Sequence, residues 1–531
     1  MRSLAALLVF GVLPVGAAIT KPVKVEGGLV AGVPGRDTSI MVFKGIPFAA
    51  PPLGDLRWRA PRPVAPWPSL RKADQFGSSC VQTIVDQRKP WTYEFMTHNE
   101  ISEDCLYLNV WTAAESPDEK RPVYVYIYGG GNTEGSTAVP VYDGEGLATK
   151  GIVVVTVNYR VGIFGFFTHP ELSKECGVGA SGNYGLMDLI AALRWVRANI
   201  AGFGGDPNRV TIGGQSAGAS NVHILVASPL ARGLFHGAIA ESGSTVHKLG
   251  LLSASRLADQ ERLGTRFGAA KGAHSLAELR KMSWQDLMAP VPGSRRRNSE
   301  DFQFGLVVDG YVLPAPANQI FVLGTQNDVP TITGCNKHEA GAVPLPEGAA
   351  EAFERAARRQ YPEMADAFLK LYPPALVRTS QNESAWDAER VSMYLWAMNR
   401  ARTARTKVYT YFWDHAMPGP DAARFGAFHS SEVPYVLNTL TIVDRPFTEA
   451  DHKIAAMMSS YWANFIASGD PNGIGLPHWP AVNERPGMTM ELGDKAAPIP
   501  VAGTKDKLSF YQEYFARTAP GTSAHSATSA Q

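Results

Sequence analysis

Short apolar runs rich in β-branched residues and tyrosine alternate with segments of helical periodicity along this chain, and that alternation constrains the fold more than any other feature. The runs cover residues 122–128, 152–159, 209–213, 237–241, 329–334 and 407–413. They are too continuously apolar to leave one face in water, so each is expected to be a strand covered on both sides. Between them, residues 186–200 place Leu186, Leu189, Ile190, Leu193, Val196 and Ile200 on one helical stripe. Strands separated by helices require crossover connections, which predicts an α/β chain on a mostly parallel central sheet with helices on both faces. Ahead of this pattern, residues 28–48 and 105–111 read as strands joined by short turns, so an antiparallel edge is expected. Residues 251–300 and 347–405 are helical and more polar, as for helices inserted between core strands to form a cap or the walls of a pocket.

Apolar residues make up 45% and charged residues 19% of 531, enough to close a large core, and no repeat or charge block divides the chain. One domain over residues 19–519 is expected, followed by a frayed Ser-, Ala- and Thr-rich tail at 520–531. The start reads as a cleaved secretion signal over residues 1–18: Arg2, an apolar run from Leu4 to Val15, then the small residues Gly16, Ala17 and Ala18. That run is shorter than the roughly 20 residues a bilayer span needs, so secretion to an extracellular or periplasmic space without a stable membrane anchor is expected. Cleavage removes one basic residue, Arg2, from 50 and so leaves 49 basic against 49 acidic residues, a neutral balance that favours neither nucleic acid nor an anionic surface as partner. The cluster Arg295-Arg296-Arg297 reads as a solvated loop. None of the four cysteines forms a CxxC pair, so no zinc site is expected; Cys80 and Cys105 are close enough in sequence to bridge, while Cys176 and Cys335 are expected to be unpaired and buried.

Chemistry enters at Gly214-Gln215-Ser216-Ala217-Gly218, directly after the run at 209–213 and before a helix expected through Asn221 to Val226. A serine between strand and helix, flanked by small residues, is held on a strained turn with its hydroxyl clear of the backbone, as a nucleophile requires. Alone, such a motif arises readily by chance among 51 glycines. A second feature supports it. The run at 122–128 leads into Gly129-Gly130-Gly131, whose N–H groups, with that of Ala217, suit the negative charge that grows on an attacked carbonyl oxygen. For the base, His223, His338, His415 and His429 all remain candidates.

These segments, together with Phe43-Lys-Gly-Ile-Pro-Phe-Ala49, Ser102-Glu-Asp-Cys-Leu-Tyr-Leu-Asn-Val-Trp111, Asn158-Tyr-Arg160, Gly182-Asn-Tyr-Gly185, Phe203-Gly-Gly-Asp-Pro207, Val308-Asp-Gly310 and Tyr461-Trp-Ala-Asn-Phe465, resemble the type-B carboxylesterases over nearly the whole chain. That family includes cholinesterases and bile-salt lipase. The resemblance implies the α/β-hydrolase fold and hydrolysis of a carboxylic ester by water without cofactor or metal. It points to Ser216 as nucleophile, to Glu339 within Gly334-Cys-Asn-Lys-His-Glu-Ala340 as the acid, and to His429 within Gly426-Ala-Phe-His-Ser-Ser-Glu432 as the base. It also implies a Cys80–Cys105 disulfide, an oxyanion pocket from Gly130, Gly131 and Ala217, and Ser242 as a hydrogen-bond partner behind the triad.

The sequence departs from the family pattern at Gln215, where glutamate is usual, at Asn132, where an aromatic residue commonly follows the glycines, and at Ala340, usually glycine. Phe95, with Trp91 nearby, stands where cholinesterases carry their choline-binding tryptophan, which argues against that specialisation. Two other functions share this fold: a catalytically inactive extracellular adhesion module, marked by loss of a triad member, and a lipase, thioesterase or lactonase using the same triad. The sequon Asn382-Glu-Ser384 permits glycosylation.

Overall fold

The apolar runs become strands of one eleven-stranded sheet in a computed structural model that describes residues 19–243, 254–291, 302–339 and 348–518. In chain order the strands are β1 (Val33–Pro34), β2 (Met41–Pro47), β3 (Tyr107–Thr112), β4 (Arg121–Ile127), β5 (Val153–Val157), β6 (Gly205–Gln215), β7 (Gly237–Glu241), β8 (Thr331–Asn336), β9 (Val408–Asp414), β10 (Met488–Gly493) and β11 (Ala497–Pro500). Across the sheet they lie in the order β11-β10-β9-β8-β7-β6-β4-β5-β3-β2-β1. Strands β4 to β10 are parallel, and β1 to β3 on one edge and β11 on the other pair antiparallel. Every residue of β5, β7 and β8 is buried, as their apolar runs require, because helices cover both faces. Strand β10 carries no apolar run in its Met-Thr-Met-Glu-Leu-Gly sequence; its register with β9 makes it a strand.

The helices that bear on the site are α1 (Tyr184–Asn199), α2 (Ala217–Ala227), α3 (Leu257–Ala270), α4 (Ala349–Gln360), α5 (Val377–Thr403) and α6 (Glu449–Ser468). Helix α1 buries the expected stripe of Leu186, Leu189, Ile190, Leu193 and Val196. A capping box between Thr448 and Asp451 starts α6, and Gly469 at φ 78° ends it. This helix lies against β4 and β6 and buries Tyr461 and Trp462, whose indole N–H donates to Glu241 Oε1 at 2.8 Å. Among the described residues, α3 lies in the first polar segment and α4 and α5 in the second; α5 packs directly on β8 and β9.

Strand order locates the site. From β4 the chain crosses to β5 on one side, then returns to place β6 on the other, so the connections leaving the ends of β4 and β6 diverge and open a crevice. Cys80 and Cys105 are bonded, with Cα atoms 5.0 Å apart. Cys335 is free and buried, but Cys176 is exposed, against expectation: it follows a one-turn helix (Pro170–Glu175) in a turn where Gly177 and Gly179 have φ of 78° and 70°, and its thiol donates to Ser173 O. Among the described residues no helix is long and apolar enough to cross a membrane. Residues 1–18, Arg295 to Arg297, Ala340 and the tail at 520–531 lie outside the described residues.

Candidate active site

Strand β6 ends at Gln215 and α2 begins at Ala217, so Ser216 alone makes the turn, at φ 59° and ψ −124°. A residue with a side chain holds that conformation only where its surroundings over-determine it. Here the main chain does so: Ser216 N–H donates to Glu241 O at 2.8 Å and Ser216 O accepts from Ser220 N–H at 3.0 Å. The crossing of α2 over β4 is so close that a Cβ at Gly218 would lie 2.0 Å from Ile127 O, which is why this position carries no side chain.

Parallel neighbours β8 and β9 send their outgoing loops side by side, and these loops carry Glu339 and His429. His429 Nδ1 is hydrogen-bonded to Glu339 Oε2. The other carboxylate oxygen, Glu339 Oε1, accepts from Asn336 N–H at 2.7 Å. Burial disfavours a charged imidazole, but the charge and hydrogen bond of Glu339, with a contribution from Glu432, outweigh it and hold the His429 pKa above that of an ordinary histidine. Glu432 is fully buried; burial first, then the charge of Glu339, push its carboxyl up to about 7. The Asn336 amide joins these groups, donating to Phe428 O at 2.7 Å and to Glu432 Oε2.

With its proton on Nδ1 towards Glu339, neutral His429 presents a lone pair on Nε2. Its partner there is the Gln215 amide nitrogen at 3.2 Å, the end of the amide able to donate. Ser216 and His429 line one cavity of about 270 Å³, with no hydrogen bond between them in this structure. The other histidines are engaged elsewhere. His223 is buried in α2 against Phe321 and Trp396, and burial followed by the charge of Arg400 pushes its pKa down to about 3. His415 sits between Asp451 and Asp494, at 2.9 and 2.6 Å, and His338 Nδ1 accepts the Ala427 N–H at 3.1 Å.

Gly130 and Gly131 line the same cavity with φ of 102° and 64°, and among the described residues their N–H groups have no partner. A Cβ at Gly130 would lie 2.3 Å from Glu134 O, because the Gly130 carbonyl closes a turn by accepting from Thr133 and Glu134 N–H at 3.0 and 3.1 Å. The N–H of Ala217, first residue of α2, has no partner within its helix. The described walls of the cavity come from residues 82–97 and 129–142 rather than from α3, α4 or α5. Residues 82–97 lie inside the loop closed by the disulfide. Gln82 pairs both ways with the Gly135 main chain at 2.8 Å, and Trp91 Nε1 donates to His429 O at 3.0 Å.

Ser242 does not reach Glu339 or His429. Its hydroxyl makes a long 3.5 Å contact with Asn336 Oδ1 instead. Asn336 and Glu432 carry no local sequence signal, one being an asparagine at a strand end and the other a glutamate three residues beyond His429; both lie inside the segments that contain Glu339 and His429.

The sequence model of the Carboxylesterase family matches residues 20–511. This chain belongs to the carboxylesterase family. The carboxylesterase is 37% identical over 501 residues to "Fumonisin B1 esterase" of Sphingopyxis macrogoltabida, covering 91% of this chain and 89% of that one. It is 35% identical to "Cocaine esterase" of Oryctolagus cuniculus, over 86% of this chain and 88% of the relative, and 34% identical to "Liver carboxylesterase 1F" of Rattus norvegicus, over 86% and 87%. The carboxylesterase thus has the α/β-hydrolase fold and is a carboxylic-ester hydrolase, acting on an ester and water.

Proposed function

We propose that this carboxylesterase works by acyl transfer through Ser216. His429 Nε2 takes the hydroxyl proton as Ser216 attacks the ester carbonyl, while Glu339 holds the imidazole in the required tautomer and stabilises its charged form. The N–H groups of Gly130, Gly131 and Ala217 receive the oxyanion. His429 then passes its proton to the leaving alcohol, and water attacks the acyl-enzyme by the same route in reverse. The reading rests on one observation: a serine on a strained turn and a histidine bonded to a carboxylate share a cavity with unpaired N–H groups. For attack to occur, Nε2 exchanges Gln215 for Ser216 Oγ, and Ser242 tunes the acid through Asn336.

The cavity, about 270 Å³ and lined by Trp91, Phe95, Val139 and Tyr142, favours esters with a compact apolar group next to the scissile bond. A panel of p-nitrophenyl esters with lengthening acyl chains tests this. The triad is tested by Ser216→Ala, expected to abolish turnover above background and labelling by a fluorophosphonate; turnover persisting in that variant rejects the assignment. We further propose that residues 1–18 are a cleaved signal and that the enzyme acts outside the cytoplasm, consistent with its disulfide. Amino-terminal sequencing of the mature protein checks the cleavage.

A further inference from the structure

The asparagine that replaces the usual aromatic residue after the three glycines is built into the site. Asn132 is 7% exposed and sits at φ 59°, a left-handed conformation that asparagine tolerates better than most residues. Its amide meets that of Asn221, which is fully buried in α2: Asn221 Nδ2 donates to Asn132 Oδ1 at 2.8 Å, and Asn132 Nδ2 donates to Asn221 Oδ1 at 3.4 Å. Tyr159 Oη adds a third bond to Asn132 Oδ1 at 3.3 Å, and Gly162 N–H donates to Asn132 O at 2.6 Å. Among the described residues, this pair makes the only hydrogen bonds between the 129–135 loop and α2.

The two asparagines stand next to the two sources of oxyanion donors. Asn132 directly follows Gly131, and Asn221 lies four residues after Ala217, on the same face of α2. We propose that Asn132 and Asn221 are positioning residues, whose paired amides fix the distance between the Gly130–Gly131 loop and the Ala217 N–H and so shape the oxyanion pocket. This rests on the reading of those three N–H groups as the oxyanion donors. Donors act only within about 2.7–3.1 Å of the place where the charged oxygen forms, so a loop free to drift loses transition-state binding before it loses substrate binding. Two hydrogen bonds between buried amides hold both distance and orientation, which a single apolar contact does not.

The test compares Asn132→Gly, which keeps the left-handed backbone, with Asn221→Ala, which suits a helix, and with the double variant. Rates on p-nitrophenyl acetate are expressed per site titrated with a fluorophosphonate, so an unfolded fraction does not count. Each single variant is expected to lower kcat by about tenfold to a hundredfold with KM within about twofold. A trifluoromethyl ketone, which forms a tetrahedral adduct, should lose affinity by the same factor as kcat. The double variant should be no worse than the weaker single one, because either change removes the whole pair. Unchanged kcat and ketone affinity per titrated site, or losses that multiply in the double variant, overturn the proposal. Fluorophosphonate attached elsewhere than Ser216 in the native enzyme overturns the active-site reading itself, and the positioning role with it.

Discussion

Replacing Gln215 by glutamate puts a carboxylate where an amide now meets His429 Nε2 at 3.2 Å, with Gln215 only 2% exposed. At that distance and an effective dielectric near 20, opposite unit charges attract by about 5 kcal/mol, an upper limit because the new carboxylate must itself ionise in a buried site, next to a histidine on which Glu339 and Glu432 already act. Single neighbouring charges in proteins move a pKa by about 1–3 units, and the lower half of that range, about 1–2 units upward, is the expected effect on His429. The sign follows from the mechanism. In the proposed mechanism His429 must be neutral to accept the serine proton, so a higher pKa moves the acid limb of kcat/KM to higher pH and leaves the alkaline plateau in place. Below the shifted midpoint the variant should lose about 10- to 100-fold relative to native enzyme at equal pH. The assay is kcat/KM on a p-nitrophenyl ester between pH 5 and 9. Gln215→Met should move the limb the same way by a smaller amount, since it deletes a donor that favours the neutral ring. A limb that stays put or moves to lower pH in the glutamate variant refutes the placement of Gln215 against the reacting nitrogen.

In the native enzyme the same limb should have its midpoint above the ordinary histidine value of about 6.5, because Glu339 and Glu432 outweigh burial at His429; a midpoint below that value in a kcat/KM profile contradicts the charge balance. Converting both Cys80 and Cys105 to serine opens a loop of 25 residues, which chain entropy values at about 3.5 kcal/mol, or about 3 °C in Tm for a chain of this length. Activity should fall as well, since that loop holds Gln82 and Trp91 against the site; calorimetry and turnover on the purified variant check both. Gly218→Ala forces a Cβ to 2.0 Å from Ile127 O, so loss of soluble protein or of fluorophosphonate labelling is expected, and a fully active, stable variant would mean that α2 crosses β4 less closely.

Much of this molecule is governed by rules that act within about ten residues, and those parts were legible in the chain alone. Buried strands announce themselves through continuous β-branched runs, α1 through its apolar stripe, and the turn at Ser216 through small residues between a strand and a helix. Local pattern failed where an element owes its form to a neighbour. Strand β10 exists because β9 offers an edge, and Cys176 is exposed because a turn carries it outward. Likewise, α3, α4 and α5 pack on other elements, while the disulfide loop walls the described cavity.

The candidate site divides the same way. Its Ser216 turn and glycine loop are local, but Glu339 and His429 are 90 residues apart, and from pattern alone four histidines were equivalent. What selects His429 is the parallel pairing of β8 with β9, which sets two distant loops side by side, while burial commits His223, and hydrogen bonds commit His338 and His415, to other contacts. The bonds of Gln215 to His429, Asn336 to Glu339 and Asn132 to Asn221 belong to packing too. A side chain's type is written in the sequence, whereas the partner it meets depends on which strands become neighbours, and that is a property of the whole folded chain.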